Sequence, residues 1–278
     1  MDAPSDVDAW RERLPSLVDE CVERWSLTLG APYVPGAGGF TAPAELPDGT
    51  QAVLKLVFPH RESEHEADAL AAWDGQGAVE LLERDDSRFA MVIERCDPGT
   101  PLALAGAEQA LEVLISLLPR LWKRAGEPIH TLADEAAWWA SYLPAHWERA
   151  APPFERALLD DAMEALDTLP GTQGEQVLLH QDLHAENVLA AQREPWLVID
   201  PKPLLGEREF AVAPIVRSFE LGHSRQDVLD RFDRLTAELG LDRERARGWT
   251  IAQTLAWTFD SDYSRQHLET ASWLLEAA

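Results

Sequence analysis

Apolar residues recur at helical spacing near the start of the chain. Leu14, Leu17, Val18, Cys21, Val22 and Trp25 share one stripe, and residues 1–29 read as a helical segment. The period then shortens. The turn-forming cluster Pro47-Asp48-Gly49-Thr50 separates 40–46 from 52–58, and the two segments read as a hairpin whose second arm is AVLKLVF. Pro43 makes the first arm the weaker strand, because proline cannot donate to a ladder. Residues 62–74 return to a helical pattern with Ala69, Leu70 and Trp73 on one stripe, and 79–83 with 89–94 form a second hairpin around RDDSR. The run Cys96-Asp97-Pro98-Gly99-Thr100-Pro101 breaks all periodicity and places a domain boundary, giving lobes of 1–97 and 98–278.

Beyond that boundary helices are predicted over 106–125, 133–149, 154–168, 224–239 and 243–277, the last with a break. Short apolar segments at 177–180, 187–191 and 196–200 interrupt them, and the last two read as a hairpin closed by Gln192-Arg193-Glu194-Pro195. The fold class is therefore α+β, a small β-rich lobe followed by a larger, mainly helical lobe with an embedded hairpin.

The hairpin permits a geometric expectation. If four residues close it, Ala191 faces Trp196 and Asn187 faces Asp200, and directly opposed side chains have Cβ atoms about 4.5–5.5 Å apart. Asn187, Asp200 and the nearby Asp182 would then converge as hard oxygen donors, a set suited to Mg²⁺ held together with phosphates. Taken singly, each has an ordinary reading as a turn or strand-end residue.

Composition narrows the function classes. The chain has 278 residues, 24 Lys and Arg against 49 Asp and Glu, and a formal charge of −25. Such a surface repels phosphate backbones and anionic lipid, which argues against nucleic-acid or membrane partners and suits a cationic small molecule; it also serves solubility alone. Two cysteines, Cys21 and Cys96, form neither a disulfide framework nor a zinc cluster, and with no signal peptide or spanning segment in view the expected setting is the cytoplasm. A monomer or weak dimer is expected.

The segment His180-Gln181-Asp182-Leu183-His184-Ala185-Glu186-Asn187 has the H-x-D-x-x-x-x-N spacing of a kinase catalytic loop and is followed by Asp200 at a strand end. With LLHQDLHAENVLAAQREPWLVIDPKPLLGE around it, the chain resembles the aminoglycoside phosphotransferase family, in its streptomycin 6-kinase and hydroxyurea phosphotransferase branch. The resemblance covers roughly residues 30–275 by alignment of features. It implies a two-lobed protein-kinase-like fold, ATP and Mg²⁺ as cofactors, Asp182 as the residue that positions or deprotonates the acceptor hydroxyl, and Asn187 and Asp200 as magnesium ligands. Two departures stand out: Asp200-Pro201-Lys202 replaces Asp-Phe-Gly, a feature of this branch, and Gln181 occupies a position that is often glycine, which leaves the loop conformation open.

On AVLKLVF, alternation puts Val53, Lys55 and Val57 on one face and Leu54, Leu56 and Phe58 on the other. A lysine among apolar neighbours needs an anionic partner, such as phosphate and a helix carboxylate, unless it sits at an edge and snorkels to water. Glu66 shares the stripe of Ala69, Leu70 and Trp73 and is the candidate partner; Ser63 three residues earlier offers a capping box instead, and Glu62 and Glu64 are alternatives. Gly36, Gly38 and Gly39 precede the first arm, where bare backbone amides approach phosphates, but they match neither a P-loop nor a dinucleotide motif. By resemblance they form a nucleotide loop, and the backbone of Glu94, Arg95 and Cys96 is the adenine-binding hinge.

Eleven tryptophans are present, most at core spacing. Asp134, Trp139, Trp257 and Asp260, with Glu135 and Asp262, are candidates for holding ammonium or guanidinium groups of an acceptor. The sequence thus points to phosphoryl transfer from ATP to a hydroxyl of a streptomycin-type aminoglycoside, with resistance by O-phosphorylation. A kinase of hydroxyurea or of another small metabolite, and a nucleotide-binding protein without transfer activity, remain as rivals.

Overall fold

The computed structural model describes residues 4–33, 39–150, 154–259 and 264–277. Helix α1 (Pro4–Trp25) leads into a five-stranded antiparallel sheet of β1 (Thr28–Leu29), β2 (Gly39–Glu45), β3 (Gln51–Val57), β4 (Leu81–Asp85) and β5 (Ala90–Glu94). The spatial order is β1-β2-β3-β5-β4. Helix α2 (Glu66–Trp73) lies between β3 and β4 in sequence.

The alternation of β3 decides how this sheet is covered. Ala52, Leu54 and Leu56 pack with Leu17 and Cys21 of α1, whereas Val53 and Val57 join Ala69, Leu70 and Trp73 of α2 in the main core. Both faces are apolar because both are covered. Pro43 fits within β2 for a geometric reason. Its carbonyl accepts from Gly30 N–H at 2.8 Å, so its nitrogen also faces the short β1 edge and removes no bond from the β2–β3 ladder.

The larger lobe contains α3 (Ala107–Leu121), α4 (Leu132–Arg149), α5 (Arg156–Thr168), β6 (Gln176–His180), β7 (Val188–Ala190), β8 (Trp196–Val198), β9 (Pro203–Glu207), α6 (Ala213–Arg217), α7 (Arg225–Leu239), α8 (Arg243–Ala256) and α9 (Ser264–Glu276). Helix α3 buries Ala110, Leu111, Leu114, Leu117, Leu118 and Leu121, the 3.6-residue stripe of an amphipathic helix. Helix α8 is instead buried almost all round, from Ala246 to Ala256. Gly248 allows this, because a Cβ there would come 3.1 Å from Leu169 and 3.3 Å from Ala165. Among the described residues, no helix is long and apolar enough to cross a membrane. Cys21 and Cys96 are both free thiols.

Two elements escape the hydrophobic pattern. Strand β9 pairs antiparallel with β6, although its segment carries Pro203 and Gly206; Pro203 opens the strand, where no donor is missed. Every residue of α6 is buried, which erases the amphipathic signal.

The β7–β8 hairpin corrects the expected register. Ala190, not Ala191, faces Trp196, and Ala191 N–H donates to Pro195 O at 3.3 Å, so three residues close the turn and Asn187 aligns with Ile199. Backbone bonds hold this hairpin on both sides, from Val198 N–H to Gly77 O and from Gly99 N–H to Ala190 O. At its tip Arg193 donates to Glu94 Oε2 at 2.7 Å, Gly75 O at 2.6 Å and Ala78 O at 2.9 Å. The tip is thereby drawn towards the smaller lobe.

Candidate active site

Lys55 sits in mid-β3 at 9% exposure, and Glu66, the first residue of α2, meets its ammonium at 2.5 Å. The alternatives are otherwise engaged. Ser63 donates to Phe58 O at 2.9 Å instead of capping α2, Glu64 bonds His130, and Glu62 lies 4.0 Å from Lys202. A second carboxylate, Asp200, also pairs with Lys55. Burial opposes the Lys55 charge, yet Glu66 and Asp200 together raise its pKa above the ordinary value. Burial pushes the Glu66 carboxyl up to about 7, because its one lysine is shared. Lys55 in turn holds Asp200 down at about 2.

The loop after β6 builds the other half of the site. His180 is buried; its Nδ1 accepts from Asp182 N–H at 3.1 Å and its Nε2 donates to Ile199 O at 3.3 Å. Burial lowers its pKa to about 4, so the ring is neutral and serves to shape the loop. Gln181 raises no backbone difficulty: its N–H donates to Lys202 O at 2.9 Å and its carbonyl accepts from Gln253 at 2.7 Å. The left-handed conformation falls at Asp200 instead, with φ 54°, a residue type that tolerates it.

Asp182 accepts from Lys202 Nζ and from Arg217 Nη2, both at 2.7 Å. Burial acts to raise its pKa, but these two cations outweigh it and hold the carboxyl below the ordinary range. Trp257 lies beneath both, with its ring 4.2 Å from Arg217 and 4.9 Å from Lys202. Asn187 donates its amide to Asp182 O at 2.9 Å, which leaves its carbonyl oxygen for another partner. His184 contacts Glu220 at 3.3 Å; burial opposes its charge, but Glu220 and Asp182 raise its pKa overall.

The remaining sequence candidates divide. Gly36, Gly38 and Asp260 lie outside the described residues. Gly39 opens β2 opposite Val57, where a Cβ would come 2.5 Å from Leu56 O, so close strand pairing demands glycine there. The Glu94 carboxylate is taken by Arg193, and Cys96 is half-buried with its thiol pushed up to about 11 by burial, as expected of a packing residue. Two of the candidate acceptor contacts are not brought to this cluster. Asp134 is exposed and accepts from Thr131 Oγ1 at 2.6 Å at the start of α4, and Trp139 is wholly buried against Phe210. Glu135, its neighbour, is the buried carboxylate, bonded to Arg61 at 2.6 Å.

Sequence reasoning missed Lys202 and Arg217 as partners of Asp182. Lys202 was visible as the third residue of Asp-Pro-Lys, but its role was not. Arg217 ends α6, which carries no periodic signal.

A family model described as aminoglycoside/hydroxyurea antibiotic resistance kinase matches residues 24–262. The chain is 43% identical over 249 residues to a hydroxyurea phosphotransferase of Kitasatospora aureofaciens, covering 88% of this chain and 72% of that protein. It is 40% identical over 254 residues to a streptomycin 6-kinase of Streptomyces griseus, covering 89% and 82%. Among solved structures, choline kinase LicA from Streptococcus pneumoniae superposes with a TM-score of 0.67 at 13% identity, over 96% of this chain and 100% of that one. A thermostable mutant of aminoglycoside phosphotransferase APH(4)-Ia in ternary complex with ADP and hygromycin B gives 0.65 at 14%, over 94% and 98%. At such low identity these structures speak for the fold alone, which is protein-kinase-like, with a sheet-based first lobe and a helical second lobe.

Proposed function

The chain belongs to the aminoglycoside/hydroxyurea antibiotic resistance kinase family, and from that premise we propose that it transfers the γ-phosphoryl group of ATP to a hydroxyl of a cationic aminoglycoside, with streptomycin as the acceptor. The lobe of residues 1–97 serves as the nucleotide clamp, and the lobe of residues 98–278 carries the catalytic loop and receives the acceptor. One observation carries the reading: Lys55 faces two carboxylates, which leaves its cluster with a net negative charge, while Asp182 is held by two cations.

The negative cluster suits a metal ion. Asn187 and Asp200 supply hard oxygen donors of the kind Mg²⁺ takes, and the Asn187 amide is turned inward so that its carbonyl oxygen is available. These two residues would hold the ion, which when bound supplies charge neutralisation to the nucleotide phosphates. Lys55, fixed by Glu66, orients the phosphates from the other side. Asp182 accepts the hydrogen bond of the acceptor hydroxyl and aims its oxygen at the γ-phosphorus. As the new oxygen–phosphorus bond forms and the bond to the β–γ bridging oxygen breaks, Asp182 takes the hydroxyl proton.

Because Lys202 and Arg217 lower its pKa, Asp182 is a weak base whose first task is alignment, as suits a loose phosphoryl-transfer transition state. The same cations face the oxygens of the group in flight. Trp257, which they cover, lines the approach of the acceptor. A second reading, phosphorylation of hydroxyurea, is favoured by the 43% identity to the hydroxyurea phosphotransferase.

The test is to incubate the protein with Mg·ATP and, separately, streptomycin, other aminoglycosides and hydroxyurea, following ADP release and product mass. A phosphate increment on streptomycin is the expected result. An increment on hydroxyurea alone would replace the acceptor, and no transfer to any of them would overturn the proposal.

A further inference from the structure

Outside the cluster just described, three side chains from two lobes converge. Glu64 and His65 lie in the turn just before α2, and His130 lies in the connection before α4. His130 Nε2 is 2.6 Å from Glu64 Oε1, and His65 Nε2 is 3.8 Å from the same oxygen. One donor atom from each residue falls within 4.8 Å of the others.

We propose that Glu64, His65 and His130 form a binding site for a divalent transition-metal ion of the Zn²⁺ class, which bridges α2 to the second lobe. The donor set is the first argument. Two imidazoles and one carboxylate prefer a borderline ion such as Zn²⁺ over Mg²⁺, which favours oxygen donors throughout. Spacing is the second: bonds of about 2.0–2.1 Å to zinc place tetrahedral ligands about 3.3 Å apart, and the two distances to Glu64 Oε1 bracket that value.

The third argument is the support behind the ligands. His65 Nδ1 is 3.2 Å from Asp68 Oδ2, and Asp68 is itself held by Arg84 at 3.0 Å. A carboxylate behind one ring nitrogen fixes the tautomer and presents the other nitrogen to a metal. Access is the fourth: Glu64, His65 and Asp68 line a cleft of about 410 Å³ that also touches Arg84 and Pro128, giving an ion and its water a path in. Glu64 and His65 immediately precede Glu66, and the His130 carbonyl accepts from Leu205 N–H at 2.9 Å in β9. An ion here therefore pins the start of α2 to the β6–β9 ribbon. The site stands independently of the proposed phosphotransfer.

The experiment uses the full chain, freed of metal by chelation and titrated with Zn²⁺ against a chromophoric chelator in excess Mg²⁺. One Zn²⁺ per chain is expected, with affinity reduced at least about 10-fold in His65→Asn and in His130→Asn. Co²⁺ in place of Zn²⁺ should give the intense visible bands of a tetrahedral site, lost in both variants. Glu64→Gln keeps the hydrogen bond to His130 while removing the anionic ligand, and should weaken Zn²⁺ equally. A far-ultraviolet circular dichroism spectrum and a urea midpoint like the parent's report that each variant is folded. Zn²⁺ uptake by the folded variants equal to that of the parent, or no uptake by the parent, would overturn the proposal.

Discussion

Lys55 and Lys202 both bond an aspartate of the candidate site, but they belong to opposite arrangements. Around Lys55 a single cation is divided between Glu66, which is 1% exposed, and Asp200. Around Asp182 a single anion is divided between Lys202 and Arg217, both resting on Trp257. The pKa directions follow from the count of partners. Glu66 rises to about 7 because burial outweighs half a lysine, whereas half-buried Asp182 falls although desolvation acts to raise it too, because two cations serve it. The charge state of each carboxyl here follows how many opposite charges it receives as well as how deeply it lies.

The sharpest way to break the comparison is Asp182→Asn, which leaves Lys202 and Arg217 without their anion and the acceptor hydroxyl without its aligning group. Turnover should fall by about 10²–10⁴-fold while Mg·ATP affinity holds, read by ADP release and by nucleotide titration. Unchanged turnover would remove Asp182 from its role.

Asp200→Asn tests the opposite cluster and keeps a residue that tolerates φ 54°. Mg·ATP affinity should fall about 10–100-fold with acceptor binding preserved. The same variant has a pH signature. A carboxyl lowered from 3.8 to about 2 on folding contributes stability above the unfolded value and loses it as pH falls through the folded one. Urea midpoints of the parent should therefore drop more steeply between pH 4 and pH 2 than those of Asp200→Asn.

Lys55→Met removes the shared cation and strands Glu66 in the core. Because burial has already lifted that carboxyl, it takes up a proton, and the cost is about 1–3 kcal/mol in urea unfolding. Adding Glu66→Leu should restore most of the loss; a double variant no better than the single would show that the pair is not coupled. The smallest effect belongs to Trp257→Leu, which removes about 0.5–2 kcal/mol of cation–ring attraction and should raise the acceptor KM a few-fold.

The two clusters were unequally legible in the amino-acid sequence. Lys55 and Glu66 announced themselves through the alternation of β3 and the stripe of α2, since both lie on elements with one regular period. Asp182, Asn187 and Asp200 were found by spacing. Arg217 was not, because α6 is buried on all sides and offers no contrast between faces. The hairpin register slipped by one residue for a related reason: Gln192-Arg193-Glu194-Pro195 is compatible with three or four residues in the turn, and only the Ala191–Pro195 bond decides. Asp134 and Trp139 are not brought to the cluster, because helical spacing says which residues share a face and not what that face meets.

The β7–β8 hairpin has a consequence for motion. Two bodies joined at one point can turn about three axes, but joined at separated points along a line they can turn only about that line. Here the covalent connection through 95–101 supplies one joint, and Arg193, gripping Glu94 and the carbonyls of Gly75 and Ala78, supplies another. The hairpin lies between them, bonded to Gly77 on one side and Gly99 on the other. Any turn of one lobe on the other that is not about the line through these attachments must break one of them, and Asp200 follows two residues past the end of β8.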